Sequence, residues 1–227
     1  MSEPVRAAST LEDHARSEPA GDLAARLARE TRTFSEEAGI DLRDTPAPLF
    51  RLLVLASLLA APVQHTTAIR ASAALRPLTR TAATLAAAEP DDVARAMTLA
   101  GYWRFHHTKA TLLVRAGEHV VERCSGDLRR LYRDADSPTG LHRELRRIPG
   151  VGTHAAHIVL REAQAVWPDV APYLDDRVLD GAKQLGLPEQ PDELAGLVDP
   201  HDLPRLAAAC VRTTLRPVGT SRAPAGS

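Results

Sequence analysis

The stretch LRRIPGVGTHAAHIVL, residues 145–160, constrains this chain more than any other part of it. Apolar residues at helical spacing run up to Ile148, and Pro149 cannot continue that helix. Gly150 and Gly152 permit a tight turn with backbone angles that other residues avoid, and a second apolar-periodic helix is expected from about Thr153. The pattern is a helix-hairpin-helix, and its physics suits phosphate. Glycines let a phosphodiester come close to the backbone, while the first amides of the second helix have no carbonyl of their own to bond. Such a contact anchors DNA without reading its sequence. The competing reading is a Gly-rich structural turn, against which stands the full IPGVG run between two periodic segments.

The rest of the chain reads as all-α. Ala and Leu dominate its apolar side, the basic side chains are 26 Arg and only 2 Lys, and no segment alternates with period two long enough to make a strand. Helix starts are legible at Asp22, at Thr45-Pro46 and Pro48 ahead of an apolar helix from Leu49, and at Pro90 with Asp91 and Asp92. Gly101 closes that third helix, and Thr108 opens one running through Val121 that Ser125-Gly126 ends. Ser137-Pro138 caps the helix leading to Ile148. Residues 1–20 and 218–227 lack apolar periodicity and are expected to be disordered.

Charge and cysteine content narrow the function classes. The net charge of −1 conceals a middle segment, 101–161, with 11 basic and 6 acidic side chains, flanked by acidic ends. Its arginines, among them Arg129, Arg130, Arg133, Arg143, Arg146 and Arg147, can follow a phosphate backbone or simply form a solvated helix face. Two cysteines, Cys124 and Cys210, are too few for a disulfide framework, a four-thiolate zinc site or an iron-sulfur cluster. The longest uncharged apolar run, Leu52 to Val63, is shorter than the roughly 20 residues a membrane span needs. A cytoplasmic, nucleoid-associated monomer with no membrane partner is expected.

With these residues in view, the chain resembles the helix-hairpin-helix DNA glycosylases of the endonuclease III superfamily. LRRIPGVGTHAAHIVL followed by YLDDRVLDGAKQLGL is similar to the family's hairpin and the catalytic Asp that opens its next helix. LFRLLVLASLLAAPVQHTTAIRASAAL resembles the family's long apolar helix, and GYWRFHHTKATLLVRAGEHVVER its Gly-aromatic turn and following helix, so the likeness spans roughly residues 45–190. The resemblance implies a two-lobed, all-α glycosylase fold. Residues 48–152 would form a six-helix barrel-like lobe ending in the hairpin; 21–47 and 153–217 would form the second lobe, with Asp175 and the hairpin at the mouth of the cleft between them.

Residue by residue, the family's catalytic Asp falls on Asp175. A helix starting there puts Val178, Ala182 and Leu185 on its inner face, whereas a start at Asp176, the reserve candidate, brings Lys183 inward. Asp175 can equally be an ordinary N-cap, and both roles are compatible. The DNA-binding candidates are Gly150, Val151, Gly152, Thr153 and His154 of the hairpin, with Arg146 and Arg147 before it. Because a base in a duplex must be flipped out and stacked before it is cut, a pocket is sought among the few aromatics. Tyr102, Trp103, Arg104 and His106, in a cluster with Phe105 and His107, and Tyr173 near the Asp, are the candidates. Adjacent histidines project differently from a helix, so no metal is expected.

Several features depart from the family pattern. Bifunctional members attack the sugar with a Lys two residues after the hairpin's second Gly; here His154 stands there. Asp175 follows His154 by 21 residues, a few more than in the family, with the extra length around Trp167-Pro168 and Pro172-Tyr173. Cys210 stands alone where the cluster cysteines would follow, so no iron-sulfur cluster is expected. Ala60-Ala61-Pro62, with Gln64 just beyond, replaces a Gln that relatives use against the widowed base. The expected function is therefore a monofunctional DNA glycosylase acting on a damaged or mispaired base in double-stranded DNA. The rivals are a non-catalytic DNA-binding module and, below it, an apurinic-site lyase or endonuclease.

Overall fold

The computed structural model of the protein describes residues 18–215, and every regular element among them is helical. The expected disordered ends fall outside those residues, apart from 18–20, where Ala20 already opens a helix. In chain order the α-helices begin with α1 (Ala20–Glu30), α2 (Phe34–Glu37), α3 (Pro46–Leu59), α4 (His65–Ala74) and α5 (Ala82–Ala86). They continue with α6 (Pro90–Leu99), α7 (His106–Cys124), α8 (Arg129–Asp134), α9 (Pro138–Leu145) and α10 (Thr153–Ala163). A 3-10 turn over Pro168–Val170 leads to α11 (Asp176–Gln184) and α12 (Pro191–Ala195), and a second over Pro200–Asp202 to α13 (Leu203–Thr214).

The chain divides into two compact units, residues 33–173 and residues 18–32 with 174–214. In the larger unit α3 is the central element: nine of its fourteen residues are buried, as an almost wholly apolar helix requires. It packs against α4, α7 and α10, while α7 receives α5 and α6. Gly117 lets α7 and α5 approach closely, since a Cβ there would lie 2.8 Å from Ala86 N and 2.9 Å from Ala82 O. In the smaller unit α13 packs on α1 and α11, and a Cβ on Gly181 of α11 would overlap the Cys210 carbonyl.

The division differs from the expected one at both boundaries. Residues 33–47 belong to the larger unit because Glu162, buried on α10, caps the start of α2. Its carboxylate accepts Phe34 N–H at 2.9 Å, Ser35 N–H at 3.0 Å and the Ser35 hydroxyl. Burial lifts this carboxyl above its ordinary value, against the pull of the Ser35 and Phe34 donors. Residues 153–173 also belong there, because Ala155, Ala156, Ile158, Val159 and Leu160 of α10 and then Trp167 enter the same apolar core. An N-cap carboxylate supplied from 128 residues away leaves no local mark in the sequence around Phe34.

Candidate nucleic-acid interface

The hairpin is built by α9, α10 and the turn between them. Ser137 caps α9 by accepting Gly140 N–H at 3.0 Å, with Pro138 in the first turn where its missing N–H costs nothing. The helix ends at Leu145, not at the expected Ile148: Arg147 N–H bonds Glu144 O and Ile148 N–H bonds Leu145 O, tightening the exit. Gly150 adopts φ +77°, the left-handed region that favours glycine. Gly152, expected to share that role, is instead extended at φ −83° and serves as the N-cap of α10.

The two glycines therefore do different work. A Cβ on Gly150 would meet Leu112 Cβ at 3.0 Å, whereas nothing lies within 4 Å of one on Gly152. Gly152 and Thr153 are exposed, His154 is half-buried, and Arg146 and Arg147 are exposed. The first bond of the α10 ladder runs from Ala156 N–H to Gly152 O at 3.0 Å, so the amides of residues 153–155 precede it. Val151 is a core residue and its amide bonds Ile148 O, which removes its side chain and its N–H from the DNA-binding candidates. Arg147 shares its charge with Glu144 at 2.8 Å.

A polar relay holds the elbow from beneath. Ser57 of α3 donates its hydroxyl to Gly150 O at 3.0 Å, and Lys109 of α7 donates to Ser57 O at 2.9 Å. Burial lowers the Lys109 ammonium from its ordinary value, and its role is structural. Sequence reasoning missed Ser57 and Leu112; the one available signal was a serine inside the apolar run of α3. The other lysine, Lys183, is exposed and paired with Glu189 at 3.0 Å.

In the smaller unit Asp175 is the N-cap of α11, its Oδ1 accepting Val178 N–H at 3.3 Å. Asp176 is exposed in the first turn. The burial of Val178, Gly181 and Ala182 and the exposure of Lys183 follow the register that favours Asp175. Leu185 is only half-buried.

The aromatic candidates separate. Tyr102 is fully buried, donates to Leu58 O at 3.4 Å and is pushed up to about 12 by burial, so it is a core anchor and not part of a base pocket. Its two neighbours are presented outward: Trp103 is 67% exposed and Phe105 60%. Phe105 sits at φ +56°, rare for a non-glycine residue, and the Arg104 guanidinium lies 5.2 Å from its ring centroid. His106 Nδ1 is 2.7 Å from Trp103 O and its ring lies 4.2 Å from that of His107. Tyr173 engages other groups: its hydroxyl is 2.8 Å from His157 Nδ1 and its amide donates to Gln164 Oε1 at 2.9 Å. Among the described residues no three metal-ligating side chains gather.

Compared with solved structures, the chain has the fold of endonuclease III. It superposes on a trapped endonuclease III–DNA covalent intermediate, an estranged-adenine complex, with a TM-score of 0.52 at 18% identity over 84% of this chain and 81% of that one. It superposes on a non-covalent endonuclease III–DNA complex with a TM-score of 0.53 at 17% identity over 84% and 80%. No family model matches the chain, and no curated protein matches it in sequence.

Proposed function

We propose that this protein is a monofunctional DNA glycosylase, hydrolysing the N-glycosidic bond of a damaged or mispaired base in double-stranded DNA. The observation that carries the reading is the open approach at Gly152: an exposed backbone with no side chain in the way, directly ahead of the amides that begin α10. A phosphate seated there gains the partial positive charge of the helix start, and Arg143 and Arg146 add exposed positive charge on the same hairpin. Trp103 and Phe105 offer ring faces on which a displaced base can stack.

Asp175 supplies the chemistry in this reading. An N-cap aspartate is held rigidly, and its negative charge favours the oxocarbenium-like sugar that forms as the base leaves, or orients the attacking water. His154 stands where a Schiff-base lysine would act, and Lys109 is committed to the Ser57 carbonyl, so sugar attack by an amine has no candidate in the hairpin.

The test is a set of duplexes each bearing one lesion: uracil, an alkylated purine, an oxidised base or a mismatch. Base release followed by strand breakage only after alkali is expected for one of them, and Asp175→Asn should abolish turnover while binding and folding persist. Strand breaks without alkali would reject the monofunctional assignment. Tight, salt-sensitive binding with no release from any duplex would leave a DNA-binding module.

A further inference from the structure

We infer that a cavity of about 420 Å³ at the N-terminal end of α9 binds a guanine-type heterocycle, free or as its nucleoside. This volume lies in the range of small-molecule sites. The cavity belongs wholly to the larger unit and is distinct from the turn at Gly150–Thr153.

Its aromatic wall is fixed before any ligand arrives. Tyr132 lines the cavity, and one face of its ring stacks on the fully buried Trp167, with centroids 4.7 Å apart and planes within 6°. The Tyr132 hydroxyl donates to Asp169 Oδ2 at 2.8 Å, and the Trp167 indole donates to Asp44 Oδ1 at 3.0 Å. Each ring is thus tied to a carboxylate from a distant stretch of chain. Leu141 and Val170 supply apolar walls of the size that a planar ring can lie against.

The polar groups select the ligand. Arg133 lines the cavity with a guanidinium that makes no hydrogen bond or ion pair among the described residues. Asp136 uses Oδ1 to accept the Ser137 hydroxyl at 3.0 Å, and Asp169 uses Oδ2 for Tyr132, so each has a second oxygen to offer. A matching ligand must carry a pair of acceptors for the guanidinium and N–H donors for the carboxylates. Guanine has both: O6 and N7 suit a bidentate arginine, and its N1–H and N2–H groups suit carboxylate oxygens. Adenine lacks the carbonyl and the N1–H. A zwitterionic amino acid matches the charges but offers the carboxylates an ammonium in place of a planar N–H edge.

Titration calorimetry of the full chain with guanosine, adenosine and phenylalanine tests this. Saturable 1:1 binding of guanosine is expected, with adenosine and phenylalanine weaker by about tenfold or more. Arg133→Ala and Asp136→Asn, both at exposed positions, should each weaken guanosine by about tenfold with unchanged thermal melting. No saturable guanosine binding would overturn the inference, as would equal affinity for adenosine, preference for phenylalanine, or affinity surviving both substitutions. Since guanosine binding is read directly, its failure is separate from any failure of base excision.

Discussion

A methyl group at position 150 would sit on a backbone at φ +77° with its carbon 3.0 Å from Leu112 Cβ. Gly150→Ala is therefore expected to lower stability by about 1–3 kcal/mol, combining left-handed strain with an overlap that Leu112 must relieve. Urea unfolding monitored by circular dichroism checks this. Position 152 is the reverse case, an N-cap in open space. Gly152→Asn should hold or raise stability by a few tenths of a kcal/mol, roughly, because asparagine caps well. The same side chain occupies the phosphate's approach and takes an amide meant for it, so duplex affinity should fall; unchanged affinity in an anisotropy titration would move the DNA contact away from the hairpin. Asp127 gives a third residue-level expectation. The Arg129 hydrogen bonds hold its carboxyl below the usual aspartate value of 3.8. A depressed pKa means that the pair stabilises the fold above about pH 4 and that this contribution disappears as pH falls through the folded value. Asp127→Asn should cost about 1 kcal/mol or less at neutral pH, and the two proteins should converge in acid-side melts.

At the scale of elements, α2 is the clearest case of a helix held by another. Four residues are too few to sustain a helix alone. Its start is secured by a capping box between Thr33 and Glu36 and by the Glu162 carboxylate beneath. Glu162→Gln presents an amide N–H to donors that need an acceptor, so a loss of about 2–4 kcal/mol is expected, with early amide exchange in residues 34–37. Exchange protection there equal to that of the parent protein would show that the capping box suffices. The α6–α7 connection illustrates the opposite balance. A strained Phe105 and a buried Tyr102 hold two large aromatics out in solvent, a conformation that burial alone would never select.

Over the whole molecule, the cysteine content sets the chemical expectation. Cys124 lies in the larger unit and Cys210 in the smaller, both buried as free thiols. Burial raises the Cys124 thiol and pushes that of Cys210 up to about 12, so neither supplies thiolate near neutrality. Native protein should resist iodoacetamide, whereas both thiols should react in urea; mass spectrometry of the modified chain distinguishes the two states.

Much of this architecture was written along the chain. Pro90, Gly101, Ser137-Pro138 and the IPGVG run are local devices that act on adjacent backbone, so the helix from Pro90, the cap of α9 and the hairpin were legible from residue types and spacing, whereas Asp175 stands out through the family resemblance together with the register of α11. What a neighbour's side chain is doing from far along the sequence was not. Glu162 beneath α2, Ser57 and Lys109 beneath Gly150, and the burial of Tyr102 beside an exposed Trp103 all depend on groups that only the folded chain brings together. Periodicity marks which face of a helix is apolar, but the partner that face meets is chosen by packing in three dimensions.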